Sequence, residues 1–214
     1  RGPVSNLNAN NLYLAYGNQT FVNGNFSVQG LPVIESTFIL ARVKEVQTNY
    51  ADLCSLKIPG EHQARTLPIP ENIRNLGLVS FSGEFTGFYN DFVAFGVFNT
   101  AAGTVSTDIR LSNQETVLSY SGALQTDHLD LGKLLDNEEL FGPTSANLKV
   151  TGSGFDSETI SLEAQGSLDQ FVLNKYDYHK ASFDVTVEGK TINGNIQVLD
   201  SNLLLEAQGN IILS

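Results

Sequence analysis

The residues able to do chemistry in this 214-residue chain are sparse and badly spaced for it. Its three histidines, His62, His128 and His179, lie far apart, and no GxSxG, HExxH, GxGxxG or phosphate-loop pattern accompanies them. Asp127-His128 joins an acid to a base, but its place before Leu131, Leu134 and Leu135 reads as the start of a short helix. Tyr176-Asp177-Tyr178-His179 offers rings for stacking on a sugar, and falls where a turn between two strands is expected. Asp136-Asn137-Glu138-Glu139 has the oxygen ligands of a hard cation without the loop spacing of a calcium site, and reads as a solvated helix end. Cys54 is the single cysteine, so no internal disulfide and no zinc spacing exist; beside Leu53 it reads as a small buried residue. These residues predict no catalytic site, no metal site and no cofactor. Asn18-Gln19-Thr20 and Asn25-Phe26-Ser27 fit a glycosylation pattern, which acts only in a eukaryotic secretory setting.

Composition narrows the remaining functions. A net charge of −11 without any basic run argues against nucleic acid, whose binders cluster Lys and Arg along the phosphates. Hydrophobic residues make up 41% of the chain and charged ones 16%, so Asn, Ser, Thr, Gln and Gly must supply the wet surface. That is a composition of strands and turns. With no Met and no apolar leader at Arg1 the sequence reads as a fragment or processed region. Its longest apolar runs, such as Phe92 to Phe95, are far short of the roughly 20 residues of a spanning helix.

Alternation of apolar and polar residues dominates the pattern. Successive strand side chains point to opposite faces, so Leu118, Tyr120, Gly122 and Leu124 share one face and Ser119, Ser121, Ala123 and Gln125 the other. The same alternation runs through Ala146, Leu148 and Val150, then Ile160, Leu162, Ala164, Gly166 and Leu168, then Ala181, Phe183, Val185 and Val187. It continues through Ile192, Gly194, Ile196 and Val198, and through Leu203, Leu205, Ala207, Gly209 and Ile211. Earlier stretches are Leu12, Leu14 and Tyr16; Phe26 and Val28; Phe81 and Phe85; and Val105, Ile109 and Leu111. Turn chemistry at Gly17-Asn18, Ala102-Gly103, Gly189-Lys190 and Ser201-Asn202 separates these runs. The spacing predicts roughly a dozen strands in an antiparallel meander.

Helix is predicted only over residues 130–140, with Leu131, Leu134 and Leu135 inward, and as single turns at 71–76 and 49–56. The predicted organisation is a first β segment at 1–126 with a proline-rich loop at 57–70, a short helical connection at 127–142, and a second β segment at 143–214. Short repeats run through it. Leu162-Glu163-Ala164-Gln165-Gly166 recurs as Leu205-Glu206-Ala207-Gln208-Gly209, Val79 to Gly83 echoes Leu118 to Gly122, and Asn23 to Phe26 echoes Asn193 to Ile196. They suggest an elongated sheet whose units touch mainly their neighbours.

A dozen strands with one apolar face and almost no helix must cover that face. A β-sandwich or closed barrel covers it with the chain itself. A curved, open gutter leaves it for a ligand with long hydrocarbon chains, and at about 0.8 kcal/mol per CH₂ a 16-carbon chain gains on the order of 10 kcal/mol by leaving water. Periodicity alone allows both, with the sandwich the commoner solution. An outer-membrane barrel fits poorly, since Trp is absent and Phe and Tyr do not form girdles.

Three runs carry a resemblance: Phe85-Thr86-Gly87-Phe88-Tyr89-Asn90-Asp91-Phe92-Val93-Ala94-Phe95-Gly96, then Gly103-Thr104-Val105 with Thr107-Asp108, then Leu129-Asp130-Leu131-Gly132-Lys133-Leu134-Leu135. With Val150 to Asp156, Asp200 to Leu203 and Gly30-Leu31-Pro32, the chain resembles the TamB-like proteins of Bacteroidetes, a translocation and assembly module family within the AsmA-like group. The resemblance implies an all-β, elongated, curved antiparallel sheet, the β-taco, with an apolar U-shaped groove. It implies an internal segment of a periplasmic bridge in a Gram-negative bacterium. The parent chain would be anchored in the inner membrane and would meet an Omp85-class outer-membrane protein through parts not present here. Phospholipid acyl chains would be its ligand; no catalytic residue is carried over. The groove is then expected to be lined by Phe81, Phe85, Leu118, Tyr120, Leu124, Leu148, Val150, Ile160, Leu162, Phe183, Val185, Ile196, Val198, Leu205 and Ile211, while residues 92–98 are apolar on both parities and leave the inward side open. Alternatives are a chaperone that assembles or secretes outer-membrane β-proteins by strand augmentation, and an extracellular polysaccharide-binding sandwich.

Overall fold

In a computed structural model the chain forms one open antiparallel sheet of twelve strands. The structure describes residues 5–33, 36–58, 65–66, 69, 71–88, 90–112, 118–154 and 159–212. The sheet is built in chain order from β1 (Asn6–Tyr16), β2 (Thr20–Gln29) and β3 (Phe38–Asn49). The helix α1 (Tyr50–Ser55), the two-residue strands β4 (Lys57–Ile58) and β5 (Arg65–Thr66), and a 3-10 helix (Glu71–Leu76) then interrupt it. β6 (Leu78–Phe88), β7 (Asp91–Thr100), β8 (Gly103–Ser112) and β9 (Ser119–Asp130) follow. After α2 (Leu131–Leu134) come β10 (Phe141–Ser153), β11 (Ser161–Leu173), β12 (Tyr176–Glu188), β13 (Thr191–Leu199) and β14 (Leu204–Ile212). Each long strand pairs with the next long strand in sequence, and β4 pairs only with β5.

The all-β open sheet is the elongated architecture expected, and the sandwich does not form. Among the described residues no second layer lies on either face: the strands pack substantially only against their neighbours in the sheet. The accessible surface is 13788 Å², against about 9,700 Å² for a compact monomer of this mass. Buried apolar residues are mostly small, Ala41, Ala102, Ala146 and Ala181 among them, and no large side chain is completely enclosed among the described residues. Among those residues no helix is long and apolar enough to cross a membrane.

Several local expectations change. The helix predicted at 130–140 is a single turn, Leu131–Leu134, because Asp136 adopts a positive φ of 54° that ends it; Leu135 is 52% exposed rather than inward. Asp127 and His128 do not start that helix. They form a bulge in β9, where the pairing with β10 slips between Thr144 and Ala146 and His128 takes φ 49°. Tyr176 to His179 open β12 instead of making a turn, which lies at Asn174-Lys175, both with positive φ. The 3-10 helix and α1 stand where single turns were expected, and most of the proline-rich loop at 57–70 lies outside the described residues. Each echoing pair of segments occupies strands running in opposite directions, so the repeats are not a translational unit.

A buried carboxylate ties the first hairpin to α1. Gly17, at φ +61°, lets the β1–β2 turn close around Asp52, and an added Cβ there would lie 2.4 Å from Asp52 Oδ1. The carboxylate accepts from the backbone N–H of Asn18 (3.2 Å) and Gln19 (2.9 Å) and from Thr20 Oγ1 (2.9 Å). Asn49 caps α1, its Oδ1 accepting from the Asp52 N–H at 2.8 Å. On the same rim the Asn75 Nδ2 of the 3-10 helix donates to Lys133 O (2.8 Å) and Asp136 Oδ1 (2.7 Å), docking it against α2.

These donors hold the Asp52 carboxyl below the usual carboxylate range, the backbone N–H of Gln19 contributing most. A lowered folded value means the stabilisation is complete above the unfolded value of about 4 and is lost as pH falls through the folded one. Asp52→Asn is therefore expected to lower the urea midpoint at pH 7 and to approach the parent as the pH drops below about 4. Urea melts at both pH values check this; an equal gap at pH 7 and pH 3 contradicts it.

Candidate functional site: an apolar face of four unbroken rows

The register of the sheet brings the expected lining residues onto one face. Nearest the helix-capped rim, one row runs Leu14, Val22, Val46, Phe81, Phe98, Val105, Thr126, Ala146, Leu168, Ala181, Val198 and Leu205, one residue from each strand. The second runs Leu12, Gly24, Val43, Gly83, Gly96, Thr107, Leu124, Leu148, Gly166, Phe183, Ile196 and Ala207. The third runs Ala9, Phe26, Ala41, Phe85, Ala94, Ile109, Gly122, Val150, Ala164, Val185, Gly194 and Gly209. The fourth runs Leu7, Val28, Ile39, Gly87, Phe92, Leu111, Tyr120, Gly152, Leu162, Val187, Ile192 and Ile211.

No charged residue occurs in any of the four rows. Leu118 and Ile160 lie one position beyond the ends of β9 and β11; the carbonyl of Leu118 accepts from Gly154 N–H and that of Ile160 from Gly189 N–H, which continues the ladder. All the other expected lining residues fall within the rows. The open question over residues 92–98 is resolved by the register: Phe92, Ala94, Gly96 and Phe98 join the apolar rows, while Val93, Phe95 and Val97 take the other side, Phe95 being 62% exposed. The whole contribution of β3 was hidden in the sequence. Its apolar positions are odd through Ile39, Ala41 and Val43, then even from Val46, because Lys44 and Glu45 form a bulge opposite Ser82.

Lateral contact covers this face. On the ten inner strands every residue of the four rows is buried or half-buried, whereas Leu14 and Leu7 on β1 and Leu205 and Ile211 on β14 are exposed. Aromatic rings lie over the glycines beside them. An added Cβ on Gly96 would meet Phe81 Cε2 at 2.5 Å, and one on Gly152 would meet Tyr120 Oη at 2.8 Å. Phe81 also packs on Phe98 with ring centres 4.6 Å apart, and Phe85 on Phe92 at 4.4 Å. The hydroxyl of Thr126 is turned into the backbone, donating to Thr144 O (3.0 Å) and accepting from Ala146 N–H (3.0 Å), so it adds little polarity. Burial raises the Tyr120 phenol above its ordinary pKa, as a low-polarity surrounding requires.

The opposite face carries Arg42 against Glu84 (3.2 Å) and Arg110 against Asp91 (3.1 Å). A shallow trough of about 700 Å³ lies on this polar side of β7 to β12. It is bordered on one flank by Asp108, Lys149 and Asp184 and on the other by Gln125 and Asn147, with Leu124, Leu148 and Phe183 beneath. Leu124, Leu148 and Phe183, with Thr107 and Gly166, belong to the second row, so the hollow shares that row with the apolar face.

The residues first considered for chemistry remain scattered. His128 Nδ1 lies 2.5 Å from Asp127 Oδ1 on the exposed bulge of β9, and His179 lies 3.7 Å from the buried Asp200. Asp200 accepts from the backbone N–H of Asn202 (2.8 Å) and of His179 (3.0 Å), which fastens the β13–β14 turn to β12. Phe171 stacks on Tyr178 with ring centres 5.2 Å apart, and Tyr176 lies tilted against Tyr178 at 4.4 Å. Cys54 is half-buried.

Compared with known proteins, the chain matches no family model, no curated protein and no solved structure.

The glycines of the face supply a matched test of its packing. Gly96→Ala places its Cβ against Ser82 O at 2.4 Å and into the Phe81 ring, and is expected to cost about 1–3 kcal/mol. Gly209→Ala has nothing within 4 Å and is expected to stay within about 0.5 kcal/mol of the parent. Urea denaturation of the two variants measures the difference.

Proposed function

We propose that the chain is a non-enzymatic segment of a periplasm-spanning TamB-like bridge, and that its apolar face carries phospholipid acyl chains between the inner and outer membranes. The observation that supports this reading is the set of four apolar rows crossing all twelve strands with no layer of described residues over them. At about 4.8 Å between strands and about 6.6 Å between rows the face measures roughly 55 by 20 Å, on the order of 1,000 Å². Monomeric soluble proteins rarely leave an apolar patch larger than about 300–600 Å². Hydrocarbon suits this face for a second reason. The rows carry no charge, and their polar side chains are the hydroxyls of Thr107, Thr126 and Tyr120, so an acyl chain exchanges one stretch of Leu, Val and Phe for the next at little cost. The headgroup stays in water at the rim.

Photocrosslinking tests the proposal. A benzophenone amino acid at Phe183 or Leu162 in the lipid-bearing protein is expected to capture phospholipid, and the same group at Glu163 or Gln165 is not. Leu148→Asp is expected to reduce co-purifying lipid about tenfold, because an unpaired carboxylate in an apolar site costs several kcal/mol, while circular dichroism stays that of a sheet protein. Equal capture from both faces would remove the basis of the reading.

A further inference from the structure

The polar side of the sheet holds a feature that acyl-chain carriage does not use. The trough of about 700 Å³ over β7 to β12 is lined by the second apolar row and by the outward positions on either side of it, with nothing from the first or third row, so it opens away from the apolar face. Register sets out its parts in order. One outward row runs Phe95, Asp108, Ala123, Lys149, Gln165 and Asp184, one residue from each of β7 to β12. The row beside it runs Val97, Ser106, Gln125, Asn147 and Ser167. Five strand spacings of about 4.8 Å make the first of these rows roughly 24 Å long.

Two properties of these rows do nothing for the sheet itself. Phe95 is 62% exposed, its cross-strand neighbours are Glu84 and Asp108, and Val93 beside it on the same side is also exposed. Among the described residues, the side chains of Asp108, Gln125, Lys149, Gln165 and Asp184 also enter no hydrogen bond or ion pair. Outward charges nearby are paired, Arg42 with Glu84 at 3.2 Å and Arg110 with Asp91 at 3.1 Å. Asn147 gives its Nδ2 to Asp169 at 3.0 Å, which fixes the amide and leaves its Oδ1 to accept.

An exposed ring beside unpaired amides, carboxylates and an ammonium matches the surface of a sugar. The C–H face of a pyranose packs on the ring, while its hydroxyls, each both donor and acceptor, bond to planar amides and carboxylates. Hydrocarbon laid here would desolvate these groups without pairing them. A polyanion would set its charges against Asp108 and Asp184.

We propose that this trough binds a neutral β-1,4-linked glycan laid across the strands. Phe95 stacks on one sugar ring, and Gln125, Asn147 and Gln165 take hydroxyls of the rings that follow. A shallow, open floor suits the flat ribbon of a β-1,4 chain, whereas a coiled α-linked chain touches it at few points. The site lies on the side opposite the proposed acyl-chain face, so it stands whether or not that face carries lipid.

Amide NMR of the 214-residue chain, titrated with cellopentaose and with chitopentaose, tests the proposal. At least one of the two is expected to give saturable shifts at Phe95, Asp108, Gln125, Lys149 and Gln165, with a dissociation constant below about 1 mM. Phe95→Ala is expected to weaken that binding about tenfold, and maltopentaose, an α-linked chain, to bind about tenfold more weakly than the better β-linked one. Because Phe95 is largely exposed, the variant's spectrum away from β7 is expected to match the parent's. The absence of saturable shifts with both β-linked probes up to about 5 mM overturns the proposal. So do shifts confined to the apolar rows, equal affinity of Phe95→Ala and the parent, or equal affinity for maltopentaose.

Discussion

An apolar sheet face over which no described residue forms a second layer is the constraint that shapes the rest of this molecule. In most domains such a face is hidden by a second layer, and the layer supplies most of the stabilisation. Here covering comes from the side: each large residue is screened by the residues before and behind it in its row. In the third row large and small residues alternate, from Ala9, Phe26, Ala41 and Phe85 to Ala94, Ile109 and Gly122. Phe81 fits because Gly83 and Gly96 make room for its ring, and Tyr120 because Gly152 does.

Where side-on packing is the main source of burial, the rims need their own anchors. Asp52 gathers the first turn onto α1, and Asp200 fastens the last turn to β12. Both are carboxylates satisfied chiefly by backbone N–H groups. Asn75 performs the related task between the 3-10 helix and α2 with an amide. Small polar knots of this kind restrict the turns through which successive strands keep a common register.

Register is also what made the sequence readable, and bulges are where it stopped being so. From β9 to β14 the apolar positions keep one parity through the central stretch of each strand, and those strands and their lining residues follow directly from alternation. In β1 the extra residues at Asn10-Asn11 shift the pattern from Leu7 and Ala9 to Leu12 and Leu14, and in β3 Lys44 does the same between Val43 and Val46. Alternation summed across such a step cancels, which is why β3 left no periodic trace. The two bulges meet in space, Lys44 Nζ donating to Asn11 Oδ1 at 2.8 Å, a contact between residues too far apart for any local pattern to reveal. α2 is shorter than its leucine spacing predicts for the opposite reason: leucines at helical spacing continue past Asp136, but the backbone there turns left-handed.

The simple strand order has a mechanical meaning. The first and last strands of the sheet sit at its two far edges, and each strand is bonded only to its immediate successors and predecessors. Tension applied between the ends of the chain therefore peels strands away one hairpin at a time and loads few hydrogen bonds at once. Every hairpin released lengthens the tether by several nanometres of extended chain, at about 3.3 Å per residue. A sheet of this order behaves under load as a strap that pays out in steps, while the strands still paired keep their rows aligned.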